Sequence, residues 1–289
     1  LALVNRVAFE LFGLPIYWYA IIIVSGVIIA MWLSTREAVR VGLKPDDVTD
    51  FMLIGLPVSI IGARLYYIMF DLPYYLNDPG QIFNIRSGGI AIYGALIAGG
   101  IWLYFFCRRN FISTWTFLDI AAPSVLLAQG IGRWGNFMNH EAHGEEVSRA
   151  FLERLHLPKF IIDNMYIDEA YRQPTFLYES FWNTLGFIVL IILRKKTGLL
   201  KEGEVFLGYL IWYGFGRFFI EGMRTDSLYL FGDIRVSQAL SALLFIGAIA
   251  VLIWRRKKQA LKDYNRGYGK NQFLFYELFW LKYVKIMSG

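Results

Sequence analysis

The chain has 289 residues, of which 56% are hydrophobic and 18% aromatic, and its mean hydropathy is +0.44. This composition is far more apolar than a soluble domain of such length requires, and it predicts an integral membrane protein. The net charge of +6 comes from basic residues that stand beside apolar runs, which is typical of proteins that contact anionic lipid. No nucleic-acid-binding module is recognisable, so we expect no nucleic-acid partner.

Apolar stretches recur along the chain at the length that a helix needs to cross a hydrocarbon core, about 17 to 22 residues. The first stretch lacks the small-residue cleavage site of a secretory signal, so we expect it to be retained as a span. The sequence therefore predicts an all-α membrane protein of about seven transmembrane helices, near residues 15–35, 50–70, 89–107, 115–132, 175–193, 204–222 and 236–254.

The segments between these spans alternate in basic content. Those that follow the first, third, fifth and seventh spans hold most of the lysine and arginine. Because basic segments stay in the cytoplasm, the N-terminus is predicted outside and the C-terminus inside the cell. We predict a seven-helix transmembrane body over 1–254, with a small extracytoplasmic cap over 133–174. A cytoplasmic basic and aromatic tail then follows over 255–289.

The densest group of polar residues is GIGRWGNFMNHEAHG, from Gly130 to Gly144. Ionisable residues at membrane depth are costly and need a partner or a task. Arg133 offers a planar fork that suits a phosphate, and Asn136 and Asn139 offer amides for glycerol or ester oxygens. The segment therefore predicts a lipid-headgroup site. The structural alternative is a helix end packed through glycines, with Arg133 reaching the interface.

A second polar group is YGFGRFFIEGMR, from Tyr213 to Arg224. Arg217, Glu221 and Arg224 recur at the spacing of one helix face, so the glutamate can hold both guanidinium groups in place. Tyr213 lies one turn before Arg217 on the same face. The alternative is an ion-pair stripe that satisfies itself and has only a structural role.

Weaker signals come from tyrosines and from the start of the fifth span. QPTFLYE, over 173–179, ends in a tyrosine and in Glu179 at the predicted outer surface, but this segment alone is weak evidence of a site. Tyr19 and Tyr93 are by default interfacial aromatic residues.

A metal site is suggested by His140, Glu141 and His143. The spacing, however, is HEAH rather than H-E-x-x-H, and no third ligand is offered by a neighbouring span. We therefore expect neither a metal nor another cofactor.

Taken together, these segments resemble the prolipoprotein diacylglyceryl transferase family, across nearly the whole chain up to about Trp254. GRWGNFMNHEAHG matches the family signature, G-R-x-G-N-F-x-N-x-E-x-x-G, at every specified position from Gly132 to Gly144. The supporting segments are IYWYA in the first span, GARLYY over 62–67, PTFLYE before the fifth span and YGFGRFFIEGMR in the sixth.

The resemblance implies a lipid transferase. The family moves the diacylglyceryl group of phosphatidylglycerol to the thiol of the lipobox cysteine in a prolipoprotein signal peptide, and it releases glycerol phosphate. Such a reaction needs a charge clamp for the phosphate leaving group, a route to the thiolate and an opening to membrane lipids. Candidate catalytic residues are Arg133 and Arg217 as the clamp, with Tyr93, Glu141 and Tyr213. Candidate phosphatidylglycerol-binding residues are Tyr19, Arg64, Asn136, Asn139, Gly144, Glu221 and Arg224.

The chain departs from the family at Tyr93, where many members carry histidine, and at Gln173, another frequent histidine. A phenol, whose ordinary pKa is about 10, is a poor general base near pH 7. Either Tyr93 donates a hydrogen bond to the lipid phosphate, or the base lies elsewhere. The other candidates for the base are Glu141, Tyr213, Tyr19, His140 and His143.

Two rival interpretations involve no covalent chemistry. The first is a membrane transporter or binder whose buried arginines hold an anionic lipid or solute. The second is a non-catalytic scaffold. Binding without turnover would favour the first, whereas a mass gain of one diacylglyceryl unit on a lipobox peptide would favour the transferase.

Overall fold

A computed structural model describes residues 4–84, 88–225, 229–231, 234–258 and 260–264, and most of the predicted tail over 255–289 lies outside them. The described residues are mostly helical, as the sequence predicts. The helices are α1 (Trp18–Arg40), α2 (Asp47–Phe70), α3 (Leu72–Asn77), α4 (Ile92–Arg109), α5 (Thr114–Asn139), α6 (Arg149–Arg154), α7 (Lys159–Asn164), α8 (Thr175–Lys195), α9 (Glu204–Gly222) and α10 (Val236–Lys258). A 3₁₀ turn lies at Pro79–Phe83.

In the part of the chain that the structure describes, three short antiparallel hairpins, which the sequence did not predict, interrupt the helices. They pair β1 (Val7–Leu11) with β2 (Leu14–Tyr17), β3 (Tyr166–Ile167) with β4 (Ala170–Tyr171), and β5 (Tyr229–Phe231) with β6 (Ile234–Arg235). The first turn is made by Phe12 and Gly13, whose φ angles are 50° and 76°. A two-residue turn with two positive φ angles matches the twist of paired strands, so the chain reverses here immediately before α1.

Within the described residues, four helices, α1, α2, α8 and α10, are long and apolar enough to cross a membrane. Only 11% to 33% of the residues in their most apolar windows are buried within the protein. Their apolar side chains therefore point mainly outward, as lipid-facing helices require. The other three predicted spans coincide with α4, α5 and α9, and their membrane crossing stays a prediction.

The chain divides into two compact units, one made of residues 1–34 with 118–267 and the other mainly of residues 35–117. In the second unit, α2 and α4 meet through glycines. A Cβ atom added at Gly62 would lie 2.8 Å from the carbonyl oxygen of Gly94. The two backbones are thus in contact, and neither position has room for a side chain.

In the first unit, the segment between α5 and α8 folds around its own apolar cluster. The buried members of this cluster are Phe137, Leu152, Ile161, Ile162, Met165 and Phe176. The helices α6 and α7 contribute three of them and Met165 directly follows α7, while Phe137 and Phe176 belong to α5 and α8. The segment predicted as a cap is therefore fixed to the helix ends that flank it.

A pair of tryptophans joins α8 to α9. The rings of Trp182 and Trp212 stack with centroids 4.5 Å apart, and each indole N–H donates to the other residue's carbonyl oxygen at 2.9 Å. Each ring lies over a glycine of the opposite helix, Gly216 or Gly186, where an added Cβ atom would overlap the indole.

The glycine contact predicts a stability difference. Gly216→Ala should lower the free energy of unfolding by about 1 to 3 kcal/mol, because the new methyl group displaces Trp182. Thermal unfolding in detergent micelles measures this. Gly247→Ala is the matched control, because no atom lies within 4 Å of a Cβ atom added there. Equal melting temperatures for the two variants would contradict the packing argument.

Candidate functional site

A buried carboxylate connects two arginines from different helices of the first unit. Glu179, near the start of α8, is 3% exposed. One of its oxygens lies 2.9 Å from Nη2 of Arg133 on α5, and the other accepts a hydrogen bond of 2.9 Å from Nη1 of Arg217 on α9. The two arginines of the predicted clamp are therefore brought together. Sequence reasoning did not include Glu179 in the site, although an intramembrane carboxylate is a signal that could have found it.

A second buried carboxylate, that of Glu221, holds Arg217 from the other side. Nη2 of Arg217 lies 2.5 Å from Oε2 of Glu221, and Nη1 of Arg224 lies 3.9 Å from the same oxygen. The first ion pair lies within α9, as the spacing on one helix face predicts, whereas Arg224 lies beyond the end of α9 at Gly222. Arg235, which sequence reasoning missed, donates a hydrogen bond to the backbone carbonyl of Glu221. Arg217 thus has a single geometry, fixed by two carboxylates.

The cluster continues through Asn136 to Glu141. Nη1 of Arg133 donates to Oδ1 of Asn136 at 3.1 Å, and Nδ2 of Asn136 donates to Oε1 of Glu141 at 2.8 Å. A tight turn after α5 makes this possible, because His140 and Ala142 have φ angles of 55° and 58°. A continuous polar chain therefore runs from Glu141 to Glu221. We call it the charged chain, and its members are Glu141, Asn136, Arg133, Glu179, Arg217 and Glu221.

One donor of Arg133 is not used. Its Nε–H is buried, and no atom of the described residues accepts a hydrogen bond from it. A buried donor without a partner is costly in a folded protein. The charged chain therefore offers hydrogen-bonding capacity to an acceptor such as a phosphate oxygen.

The charged chain is flanked by Tyr213 on α9. This side chain lies one turn before Arg217 and within electrostatic range of Arg133, Arg217 and Glu179. Its ring stacks on that of Tyr209, with centroids 5.9 Å apart. Tyr213 therefore lies beside the predicted clamp.

Gly144 lies where its backbone passes close to two other chain segments, which leaves no room for a side chain. Its N–H donates to the carbonyl of Gln173 at 3.0 Å, and its backbone pairs with that of Arg224. An added Cβ atom would lie 2.7 Å from Cβ of Gln173 and 3.0 Å from the carbonyl of Met223. The structure thus gives this glycine a packing role, and its contact with substrate stays a prediction.

A polar pocket of about 380 Å³ lies at the end of α5. Tyr19, Asn139 and Glu141, which the sequence placed in the site, line it together. Its other lining residues are Arg6, Tyr17 and Ala20. Arg6 and Tyr17 were not assigned to the site, because their only sequence signal is proximity to the first apolar span.

His140 lies between Asn139 and Glu141, two residues that line this pocket. Burial lowers its pKa, a hydrogen bond with Asn164 opposes this shift, and the charge of Arg6 adds to it. The lowered pKa favours the neutral imidazole, which can accept a proton. Across the described residues, no group of three or more His, Cys, Asp or Glu side chains is arranged to hold a metal ion.

An apolar groove of about 970 Å³ runs along α8 and α9. Its lining residues are Leu155, Leu157, Leu177, Tyr178, Phe181, Trp182, Phe215, Gly216, Phe219 and Ile220. Tyr178, Gly216 and Ile220 directly precede Glu179, Arg217 and Glu221 in the sequence. The groove and the charged chain therefore occupy neighbouring faces of the same two helices.

The two remaining predicted site residues, Arg64 and Tyr93, belong to the second unit. Arg64 is 6% exposed, and its guanidinium group donates to the backbone carbonyls of residues 81, 82, 84, 88 and 89. Tyr93 lies in the first turn of α4 and packs against Tyr66, with ring centroids 6.5 Å apart.

Apolar helices and a buried charged chain define a helical membrane protein with a polar site, and comparison with known proteins identifies its family. The family model described as prolipoprotein diacylglyceryl transferase matches residues 6–254. Three similar proteins are each named phosphatidylglycerol–prolipoprotein diacylglyceryl transferase. The protein of Enterococcus faecalis is 68% identical over 266 residues, covering 92% of this chain and 96% of that one. The protein of Pediococcus pentosaceus is 58% identical, covering 92% of this chain and 96% of that one. The protein of Bacillus cereus is 53% identical, covering 90% of this chain and 96% of that one.

The chain therefore belongs to the prolipoprotein diacylglyceryl transferase family. The resemblance inferred from the Gly132 to Gly144 signature is confirmed.

The bridging role of Glu179 predicts a loss of both stability and activity in Glu179→Gln. The amide cannot balance two guanidinium groups, and breaking a buried ion pair costs about 3 to 5 kcal/mol. The temperature of thermal unfolding and the rate of transfer should both be lower than in the parent protein. Glu153→Gln is the control, because the Glu153 side chain is 54% exposed in its ion pair with Arg149, and such pairs contribute little. If Glu179→Gln behaved like this control, the bridge would have no structural importance.

Proposed function

We propose that the protein transfers the diacylglyceryl group of phosphatidylglycerol to the lipobox cysteine of a prolipoprotein. A carbon–sulfur bond forms as the carbon–oxygen bond to phosphate breaks, which yields a thioether and glycerol phosphate. Family membership and the names of relatives at 53% to 68% identity support this activity. The structural observation that carries the proposal is the bridge of Arg133, Glu179 and Arg217.

The bridge holds two positive charges, which suit the negative charge that develops on the phosphate during the reaction. The phosphodiester of the substrate has one negative charge, whereas the released phosphate monoester carries nearly two. Guanidinium groups fixed beforehand stabilise this developing charge better than mobile ones, because they need no reorganisation during the reaction. Arg133 and Arg217 therefore act as the clamp, and the unused Nε–H of Arg133 supplies one donor for the phosphate. Glu221 and Arg224 keep Arg217 in place.

The polar pocket suits the glycerol headgroup. Tyr19, Asn139 and Glu141 present hydroxyl, amide and carboxylate groups to a cavity that is large enough for a small polyol. Glu141 is joined to Asn136, and Asn136 to Arg133, so the pocket continues into the clamp. We assign the headgroup to this pocket and the acyl chains to the apolar groove, which runs along α8 and α9, the helices that carry Glu179 and Arg217.

The thiol must lose its proton before it attacks. A free thiol has a pKa of about 8.5, so a nearby base speeds the formation of the thiolate. We propose His140 as this base, because its lowered pKa favours the form that accepts a proton, with Glu141, Tyr213 and Tyr19 as alternatives. Tyr93 is proposed as a catalytic hydrogen-bond donor.

We further propose seven transmembrane helices, formed by α1, α2, α4, α5, α8, α9 and α10, in a bacterial inner membrane. The N-terminus lies outside, the segment 133–174 forms an extracytoplasmic cap, and the 255–289 tail is cytoplasmic. The distribution of basic residues supports this orientation. The site then opens to the outer leaflet.

The transfer is tested with purified protein, phosphatidylglycerol and a lipobox peptide, read by mass spectrometry. We expect the peptide to gain one diacylglyceryl unit. Arg133→Ala and Arg217→Ala should each reduce the rate by about 10² to 10³, the usual effect of removing one donor to a developing anion. Arg149→Ala, an exposed arginine of the cap segment, should retain activity. Lipid binding without product in the parent protein would instead indicate a transporter or binder.

The orientation is tested by thiol labelling of intact cells. In a Cys107→Ser background, which removes the chain's only cysteine, an impermeant thiol reagent should label Glu153→Cys. It should label Lys257→Cys only after the membrane is permeabilised, because basic segments stay in the cytoplasm. The reverse pattern would contradict the proposed topology.

A further inference from the structure

The guanidinium group of Arg64 has no hydrogen-bonding capacity left for a ligand. A guanidinium group carries five N–H donors, and in this protein five backbone carbonyls surround it. The acceptors are Ile82 for Nε at 3.0 Å, Gly88 and Gly89 for Nη1 at 3.0 and 2.8 Å, and Gln81 and Asn84 for Nη2 at 2.5 and 3.2 Å. Every donor is thus engaged.

This environment is unsuitable for a phosphate. An anion at Arg64 would have to displace several carbonyl oxygens and would face the negative ends of the carbonyl dipoles that remained. The guanidinium group also lies over the ring of Tyr75, 5.2 Å from its centroid. Arg64 therefore differs from Arg133 and Arg217, whose partners are carboxylates and an amide.

Residues 88 and 89, which contact Arg64, have an unusual backbone conformation. Gly88 and Gly89 have φ angles of 92° and 78°, which side-chain-bearing residues rarely adopt. An added Cβ atom at Gly89 would overlap Nη1 of Arg64. The two glycines therefore allow the backbone to approach the guanidinium group closely enough to donate its carbonyls.

The residues that precede Arg64 hold the start of α4. The N–H of Ala91 donates to the carbonyl of Ala63 at 3.0 Å, and the backbone of Gly94 contacts that of Gly62. Ala91 is the N-cap of α4, and no side chain caps this helix end. Successive residues over 62–64 thus fix the segment 88–94, which includes Tyr93.

We propose that Arg64 is a positioning residue, which holds residues 88–89 and thereby fixes the start of α4, including Tyr93, without contacting lipid itself. This inference rests on the proposed function. It replaces the phosphatidylglycerol-binding role that the sequence suggested for Arg64, because five internal carbonyls already occupy its donors.

The substitution Arg64→Lys distinguishes a phosphate-binding role of Arg64 from a positioning role. Lysine keeps the positive charge but has three donors on a flexible stem, so it cannot bind five carbonyls in a planar fork. If Arg64 bound the phosphate, Arg64→Lys would mainly raise the KM for phosphatidylglycerol. If Arg64 positions Tyr93, the same change lowers kcat and leaves KM within about twofold, because binding is retained while a group needed in the transition state is misplaced.

The experiment compares the parent protein with Arg64→Lys, Tyr93→Phe and the double variant, using phosphatidylglycerol in mixed micelles and a lipobox peptide. We expect kcat to fall about tenfold to a hundredfold in each single variant, as small misplacements at a reacting centre commonly cause. The double variant should be no slower than Tyr93→Phe, because residues that act through one another are not additive. Additive losses, a raised KM with unchanged kcat in Arg64→Lys, or full activity in Tyr93→Phe would each overturn the proposal. A parent protein without activity would refute the proposed function as well.

Hydrogen exchange tests, independently of activity, whether Arg64 holds residues 88–89. In Arg64→Lys the amides over 88–95 should exchange faster than in the parent, while those of α8 and α9 should not change. Arg108→Lys, at the other end of α4, is the matched control and should leave the 88–95 amides unaffected. Gly89→Ala, which keeps Arg64 but blocks its approach, should reproduce both the faster exchange and the lower kcat. Unchanged exchange in Arg64→Lys would show that Arg64 does not hold this segment.

Discussion

The carboxylate of Glu179 is the interaction on which the charged chain depends. Two guanidinium groups from α5 and α9 would repel each other in an apolar interior, where charge interactions are much stronger than in water. A buried carboxylate between them removes this repulsion and fixes their separation, with 2.9 Å contacts on both sides. Because Glu179 itself is buried, its own desolvation is offset only while both arginines are present. The three helices are therefore coupled through one side chain.

The helices α8 and α9, which carry Glu179 and Arg217, also provide the apolar groove. On α8, Tyr178 faces the groove and the next residue, Glu179, joins the charged chain. On α9, Gly216 lines the groove and the next residue, Arg217, joins the charged chain. Adjacent residues on a helix point about 100° apart, so one helix pair presents a polar face and an apolar face side by side. An amphiphilic substrate such as a lipid requires this arrangement.

Local features of the site could be predicted from the sequence, whereas contacts between distant segments could not. The ion pair of Arg217 with Glu221 follows from helical spacing within α9. The Gly132 to Gly144 signature identified the family. Glu179, however, lies 46 residues after Arg133 and 38 before Arg217, and no periodicity connects them. The hairpins were missed for another reason, since strands of two to five residues are too short to show a period.

Arg64 shows why an intramembrane arginine cannot be assigned from its residue type alone. The sequence shows the charge but not its partners, and here the partners are backbone carbonyls, which any sequence supplies. A carboxylate partner holds an arginine while leaving some of its donors directed at a ligand, as the unused Nε–H of Arg133 illustrates. Five carbonyls use every donor and turn the arginine into a structural link between two chain segments. The partner chemistry, rather than depth in the membrane, thus separates the arginines suited to binding an anion from the one that shapes the backbone.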